Sequence, residues 1–208
     1  MIDVIDKINP LPANKCRAKP RPLANVRTIL IHQTAVAGGF GVTATQQKKG
    51  LEQFSELSHL LPIGRDCGLL WRYQTETYHA IYSPRSKNSF NLRHPSVYTF
   101  HGHGSNRYSV GWAYDGMFTR DHTDELDVGH ALVALTEYVV WLADTLSVDP
   151  SDLNFESHRQ HSATRVRDPG PEIWANVVMP VAGAMGVKLN SEHVTGTGKP
   201  IPESWKVR

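Results

Sequence analysis

Two hydrophobic periods alternate along this chain. Residues 26–32, VRTILIH, form a mostly β-branched apolar run that leads into a glycine-rich stretch at residues 37–41. A short continuous run of this kind predicts a buried central strand. From Thr45 to about Leu57 the spacing lengthens: Leu51, Phe54 and Leu57 recur three apart, which predicts a helix with Thr43 or Thr45 as N-cap. Pro62 and Gly64 forbid its continuation, so residues 58–68 are expected as a short strand and a turn. Residues 69–82, rich in aromatics and threonine, predict one or two further strands. The polar stretch 83–95, with Pro84, Asn88 and Asn91, predicts a loop insertion. Residues 97–106 and 108–114 are expected as strands around a glycine-rich bend.

The clearest helical pattern covers residues 123–146, where Leu126, Ala131, Val133, Ala134, Tyr138, Trp141, Leu142 and Leu146 build a broad apolar face. Thr123 is the expected N-cap, with Asp124 and Glu125 in the first turn. His130 within it reads as a core or surface histidine. Residues 173–187 predict a last helix interrupted near Pro180, and residues 188–208 a polar tail with Gly196, Gly198, Pro200 and Pro202. Residues 1–24 hold Pro10, Pro12, Pro20 and Pro22 among Lys15, Arg17, Lys19 and Arg21, which predicts an extended basic arm over the domain surface. The chain thus divides into an arm (1–24), a domain (25–187) and a tail (188–208).

Composition narrows the class without choosing a function. At 208 residues, 40% hydrophobic and 20% charged, the chain can bury one sizeable core. A net charge of +2 is too mild to imply nucleic acid, and the basic arm carries no aromatics on which bases could stack. Cys16 and Cys67 are too few for a disulfide framework and read as free thiols. The opening MIDVIDKINP has no apolar signal core, and Asp144 breaks the apolar run near Val139, so neither a secretory signal nor a membrane span is expected. A substrate outside the cytoplasm would then require another agent to deliver the protein.

Chemistry concentrates in residues 157–171, SHRQHSATRVRDPGP, which read as a loop. His158 and Asp168 lie ten positions apart there, and a loop can bend both to one point where a helix could not. An imidazole and a carboxylate suit zinc, whose nitrogen and oxygen ligands sit at about 2.0–2.2 Å. His32, at the end of the first strand, is the best third ligand, and three protein ligands leave a fourth position for water, as in catalytic zinc sites. His101 and His103 share one face of an extended segment; they read either as a metal pair or, preferably, as cleft-lining donors to neighbours and substrate.

Five segments, in order, resemble the zinc-dependent N-acetylmuramoyl-L-alanine amidase family, which includes amidase-type phage lysins and the peptidoglycan recognition proteins. IHQTA (31–35) is similar to the strand carrying the first zinc histidine. SHLLPIGRDCG (58–68) resembles the Tyr-His strand and Arg-Asp-Gly turn, and YHA (78–80) the Trp-His-Ala-Gly segment. NRYSVG (106–111) resembles the Asn-x-x-Ser-Ile-Gly strand, and His158 through Asp168-Pro169-Gly170 the second histidine and final ligand. The resemblance spans residues 26–175. It implies an α/β fold with a mixed central β-sheet flanked by helices and a zinc ion (Zn2+) in a surface groove. It also implies hydrolysis of the amide between muramic acid and L-alanine of the stem peptide, with peptidoglycan or muropeptides as partner.

Three positions depart from the family pattern. Its active-site tyrosine falls at Ser58, a glutamate found in some members at Ala113, and a lysine found in many at Val166. His79, able to act as acid or base near neutrality, and Arg165 or Arg167, able to meet an oxyanion, are therefore the expected catalytic groups. Tyr78, His101, His103 and Asn106 are the expected substrate contacts. The leading expectation is a monomeric phage or prophage endolysin, made in the cytoplasm and acting on the wall after release. Alternatives are a cytoplasmic muropeptide-recycling amidase, a zinc hydrolase acting on another amide and a non-catalytic recognition module.

Overall fold

The computed structural model describes residues 3–6, 20–35, 78–84, 87–91, 93–99, 101–102, 104–121 and 123–206. The helix expected at 45–57, the strand and turn at 58–68, His103 and both cysteines lie outside the described residues. Within them one mixed sheet is built from β1 (Asp3–Asp6), β2 (Thr28–Gln33), β3 (Ala80–Ser83), β4 (Asn88–Asn91), β5 (Ser109–Tyr114), β6 (Asn154–Ser157) and β7 (Lys188–Leu189). The spatial order is β1-β4-β3-β5-β2-β6-β7. The pairs from β3 through β7 are all parallel, and the β3–β4 pair is antiparallel.

β2 and β5 are buried at every position, as unbroken apolar runs in the middle of a parallel sheet should be. Their period of two then assigns faces. Ile29 and Ile31 of β2, Val110, Trp112 and Tyr114 of β5, and Ala80 and Tyr82 of β3 share one core with the helices. Leu30 and His32 accordingly point to the opposite face.

The main helix, α1 (Val128–Leu146), buries Ala131, Ala134, Leu135, Tyr138, Val139, Leu142 and Ala143. It starts later than the sequence suggested. Thr123 is drawn into a bridge with Phe118, and Asp127 is the cap instead, accepting from the His130 amide and from the Tyr82 hydroxyl. Against α1 packs a helical stretch running from α2 (Pro171–Ile173) through a π-helical turn (Trp174–Val178) into α3 (Met179–Met185). Pro180 does not break it. The helix widens by a π-turn just before Pro180, which sits in the first turn of α3, where the missing N–H costs little.

Two loop and strand expectations also change. The stretch 83–95 holds β4, a polar NSFN strand that exists because β3 and β1 pair with it on either side. Among the described residues of 97–106 there is no strand: Val97 makes one bridge to Pro20, and Gly104 stands at a turn with φ +79°. The tail is equally different from expectation, since Ile201 and Trp205 are buried in the core cluster.

Candidate metal centre

β2 and β6 run side by side in parallel, with Ile31 opposite Ser157. One step further along each strand stand His32 and His158, whose rings lie 4.8 Å apart. Both leave the carboxyl ends of neighbouring strands, where β6 lies on the other side of β2 from β5. Such reversals open the crevices in which α/β proteins place their ligands.

Asp168 completes the cluster. Its Oδ2 is 3.0 Å from His158 Nδ1 and 3.7 Å from His32 Nδ1. Its Oδ1 accepts the Gln33 amide at 2.9 Å, so the carboxylate is aimed by the residue next to the first histidine. Candidate ligand atoms of His32, His158 and Asp168 all lie within 4.8 Å of one another. Burial alone would raise the Asp168 carboxyl, but the hydrogen bond from His158 and the neighbouring His32 ring hold it well below the usual carboxylate range. Burial pushes His32 down to about 4, against the opposing pull of Asp168, so its imidazole is neutral at neutral pH.

The donor set fits zinc, and the proton positions fit it too. Ser109 carbonyl can only accept, so His101 Nε2, 3.1 Å away, carries the hydrogen. Burial holds His101 far below the ordinary imidazole range, so its ring is neutral and its Nδ1 is bare. That bare nitrogen lies 3.3 Å from His32 Nε2, which must therefore donate. Neutral His32 is left with its lone pair on Nδ1, facing Asp168 and His158. This is the tautomer a metal ligand needs, fixed by a partner behind it.

The other expected residues are distributed on both sides of this cluster. His79 is fully buried: its Nδ1 accepts the Gly111 amide at 3.0 Å, and its Nε2 lies 2.9 Å from Val97 carbonyl and 3.1 Å from Arg21. It stands edge-on behind His101, ring centroids 5.4 Å apart, and so faces no substrate. Burial, then the Arg21 charge, keeps it neutral. Tyr78 is also buried, 5.1 Å from the His32 ring, with its hydroxyl directed to Gln33 carbonyl. Asn106 holds the bend, its Oδ1 accepting from the His101 and Gly102 amides. In contrast, Arg165 and Arg167 line an open cavity of about 300 Å³ beside Asp168, together with Arg120 and Asp121. Arg167 is tied back to Glu172 at 3.4 Å.

Gln33 carries a role that its residue type and position in the sequence do not announce. Its amide orients Asp168, and its side chain bonds Phe118 and the Arg167 carbonyl. The only available signal was its place directly after a strand-end histidine.

Sheet, helices and cluster together define a protein with the fold of N-acetylmuramoyl-L-alanine amidases and peptidoglycan recognition proteins. No protein-family model matches the chain, and no curated protein sequence matches it. Solved structures do. Drosophila PGRP-LB is similar with a TM-score of 0.55 at 15% identity, over 95% of this chain and 100% of that one. The Ph2119 endolysin of a Thermus scotoductus bacteriophage gives 0.54 at 16%, over 89% and 100%. The endolysin LysCS of Clostridium intestinale, an N-acetylmuramoyl-L-alanine amidase, gives 0.52 at 16%, over 90% and 98%.

Proposed function

We propose that this chain is a zinc-dependent peptidoglycan amidase that hydrolyses the amide between the lactyl group of N-acetylmuramic acid and L-alanine of the stem peptide. The observation that carries this is the pre-set cluster: two imidazoles and a carboxylate converge beside an arginine-lined cavity, with the His32 lone pair already turned inward. His32, His158 and Asp168 would hold the ion, which when bound supplies a water acidified towards a pKa of about 7 and a Lewis acid for the amide carbonyl. Gln33 keeps the carboxylate aimed through its amide. Arg165, exposed on the cavity wall, meets negative charge developing on the scissile carbonyl oxygen. His101 holds the proton on its Nε2 that fixes the His32 tautomer. His79 acts only through His101, as a positioning residue.

The protein acts as a monomer, released from the cytoplasm onto the wall as a phage or prophage endolysin does. Among the described residues no helix is long and apolar enough to cross a membrane. The test is incubation with purified peptidoglycan followed by mass analysis. New L-alanine amino termini without new reducing sugar ends are expected; new reducing ends alone would overturn the proposal. A second function, peptidoglycan recognition without cleavage, is favoured by one observation. Ala113 is completely buried where some amidases resembling this chain carry a glutamate. Zinc and wall binding without peptide release would establish it.

A further inference from the structure

The loop between His158 and Asp168 carries two of the three ligands, and from within it is held by a short 3-10 turn (His158–Gln160), two local turns and the bonds from Arg159 to the Asp168 and Val166 carbonyls. Its outer side is held by the end of the chain. After β7 pairs with β6, residues 190–201 cross the loop and bond to it backbone to backbone. The Thr195 amide donates to Gln160 carbonyl at 2.9 Å, and the Lys199 amide to Arg159 carbonyl at 2.9 Å. The Ala163 amide donates to Thr197 Oγ1 at 3.1 Å. Gln160 returns the grip: its Oε1 accepts the Ser157 amide, while its Nε2 donates to the carbonyls of Asn190 and His193.

Two features show that this crossing is fitted, not merely laid on the surface. A side-chain carbon at Gly198 would lie 2.0 Å from Gln160 carbonyl oxygen and 2.6 Å from the His161 amide nitrogen, so only glycine permits the approach. Below it the Glu156 carboxylate, 1% exposed, accepts from His161 of the loop and from Asn190 and His193 of the tail, each at 2.8 Å. Arg159 links everything. Its amide donates to Asp168 carbonyl, its guanidinium to the carbonyls of Val166 and Pro200, and it lies 5.5 Å over the Trp205 ring.

We infer that residues 188–206 are a clasp that sets the positions of the metal ligands His158 and Asp168, with Gly198 and Arg159 as its positioning residues. The inference rests on these residues being the metal ligands, and it holds for an amidase and for a receptor alike. Partners that orient metal ligands typically change metal affinity by about 10–100-fold when removed.

The test uses the full chain carrying Gly198→Ala, with exposed Val194→Ala as control. Zinc affinity is read by competition with a chromophoric chelator, and amide hydrogen exchange is followed on the metal-free protein. Gly198→Ala should weaken zinc binding by about 10–100-fold and release the amides of Thr195, Lys199, Arg159 and Asp168. Amides of β2 and β5 should stay protected and Val194→Ala should match the parent. Release of the Thr195 and Lys199 amides with unchanged zinc affinity would overturn the clasp, as would their continued protection in Gly198→Ala. Should Gly198→Ala fail to fold, Thr197→Val combined with Arg159→Met decides by the same two readings. If the parent chain binds no zinc, the metal centre fails on its own; retained protection at Arg159 and Asp168 in the variant would then overturn the clasp, and its loss would support it.

Discussion

Replacing His101 by phenylalanine isolates the tautomer control. The side chain is 2% exposed, and phenylalanine fills the site with a slightly larger ring while removing both ring nitrogens. Ser109 carbonyl does not become an orphan, because Arg21 also donates to it. The loss falls on His32, whose Nε2–H then has no acceptor in a fully buried position. An unsatisfied buried donor costs about 1–3 kcal/mol. His32 can avoid that cost by moving its hydrogen to Nδ1, towards Asp168 Oδ2 at 3.7 Å, but this occupies the lone pair the ion needs. The shift to Nδ1 must be reversed before the ion can bind, and at about 1.4 kcal/mol per decade a penalty of that size corresponds to a loss of about 5–150-fold in zinc affinity. Chelator competition measures that loss, and nitrogen NMR of the metal-free protein reads the His32 tautomer directly. His101→Gln, whose amide can accept from His32 and donate to Ser109, should recover most of the affinity. Wild-type affinity in His101→Phe, with His32 still protonated on Nε2, would refute the reasoning.

Further outcomes are expected elsewhere in the site. Asp168→Asn should retain the Gln33 contact yet purify without stoichiometric zinc; full zinc occupancy would remove Asp168 from the ligand set. Arg165→Ala should keep zinc and wall binding but lose about 10² in kcat, since the charge it meets develops only in the transition state. His79 is held neutral in the fold, while in the unfolded chain it takes up a proton near the ordinary value of about 6.5. Below that pH the unfolded state binds more protons, so stability falls as pH drops, by up to about 1.4 kcal/mol per pH unit for this group. Urea melts of the metal-free protein at pH 7.5, 6 and 5 should show a shallower pH dependence in His79→Gln; an unchanged dependence would contradict the burial of an uncharged His79.

What could be read from sequence follows from what each feature depends on. β2 and β5 were legible because burial on both faces writes an unbroken apolar run. The proximity of His32, His158 and Asp168 was legible because ligand chemistry restricts the choice of residue type. β4 was not, since in Asn-Ser-Phe-Asn one strand-favouring residue stands among three polar ones and its neighbours impose the strand. The helix start moved from Thr123 to Asp127 because a bridge to Phe118 claimed the better-looking cap. The clasp was illegible for a different reason: Gly198, Thr195 and Lys199 read as a polar tail, and their partners lie more than thirty residues earlier.

Three of the buried histidines, His32, His79 and His101, show where such reading must stop. Sequence gives their spacing and chemical range, but their roles depend on which nitrogen carries the hydrogen. Here that is decided by backbone groups. Gly111 amide sets His79, and Ser109 carbonyl sets His101, which in turn sets His32. Both backbone groups belong to β5, the strand paired directly with β2. The same sheet pairing that fixes where His32 stands therefore also fixes which of its nitrogens can bind a metal. A shift of β5 by one residue would exchange its donor and acceptor positions and turn its side chains to the other face. The His32 lone pair would then lose its direction although every ligand residue remained in the chain.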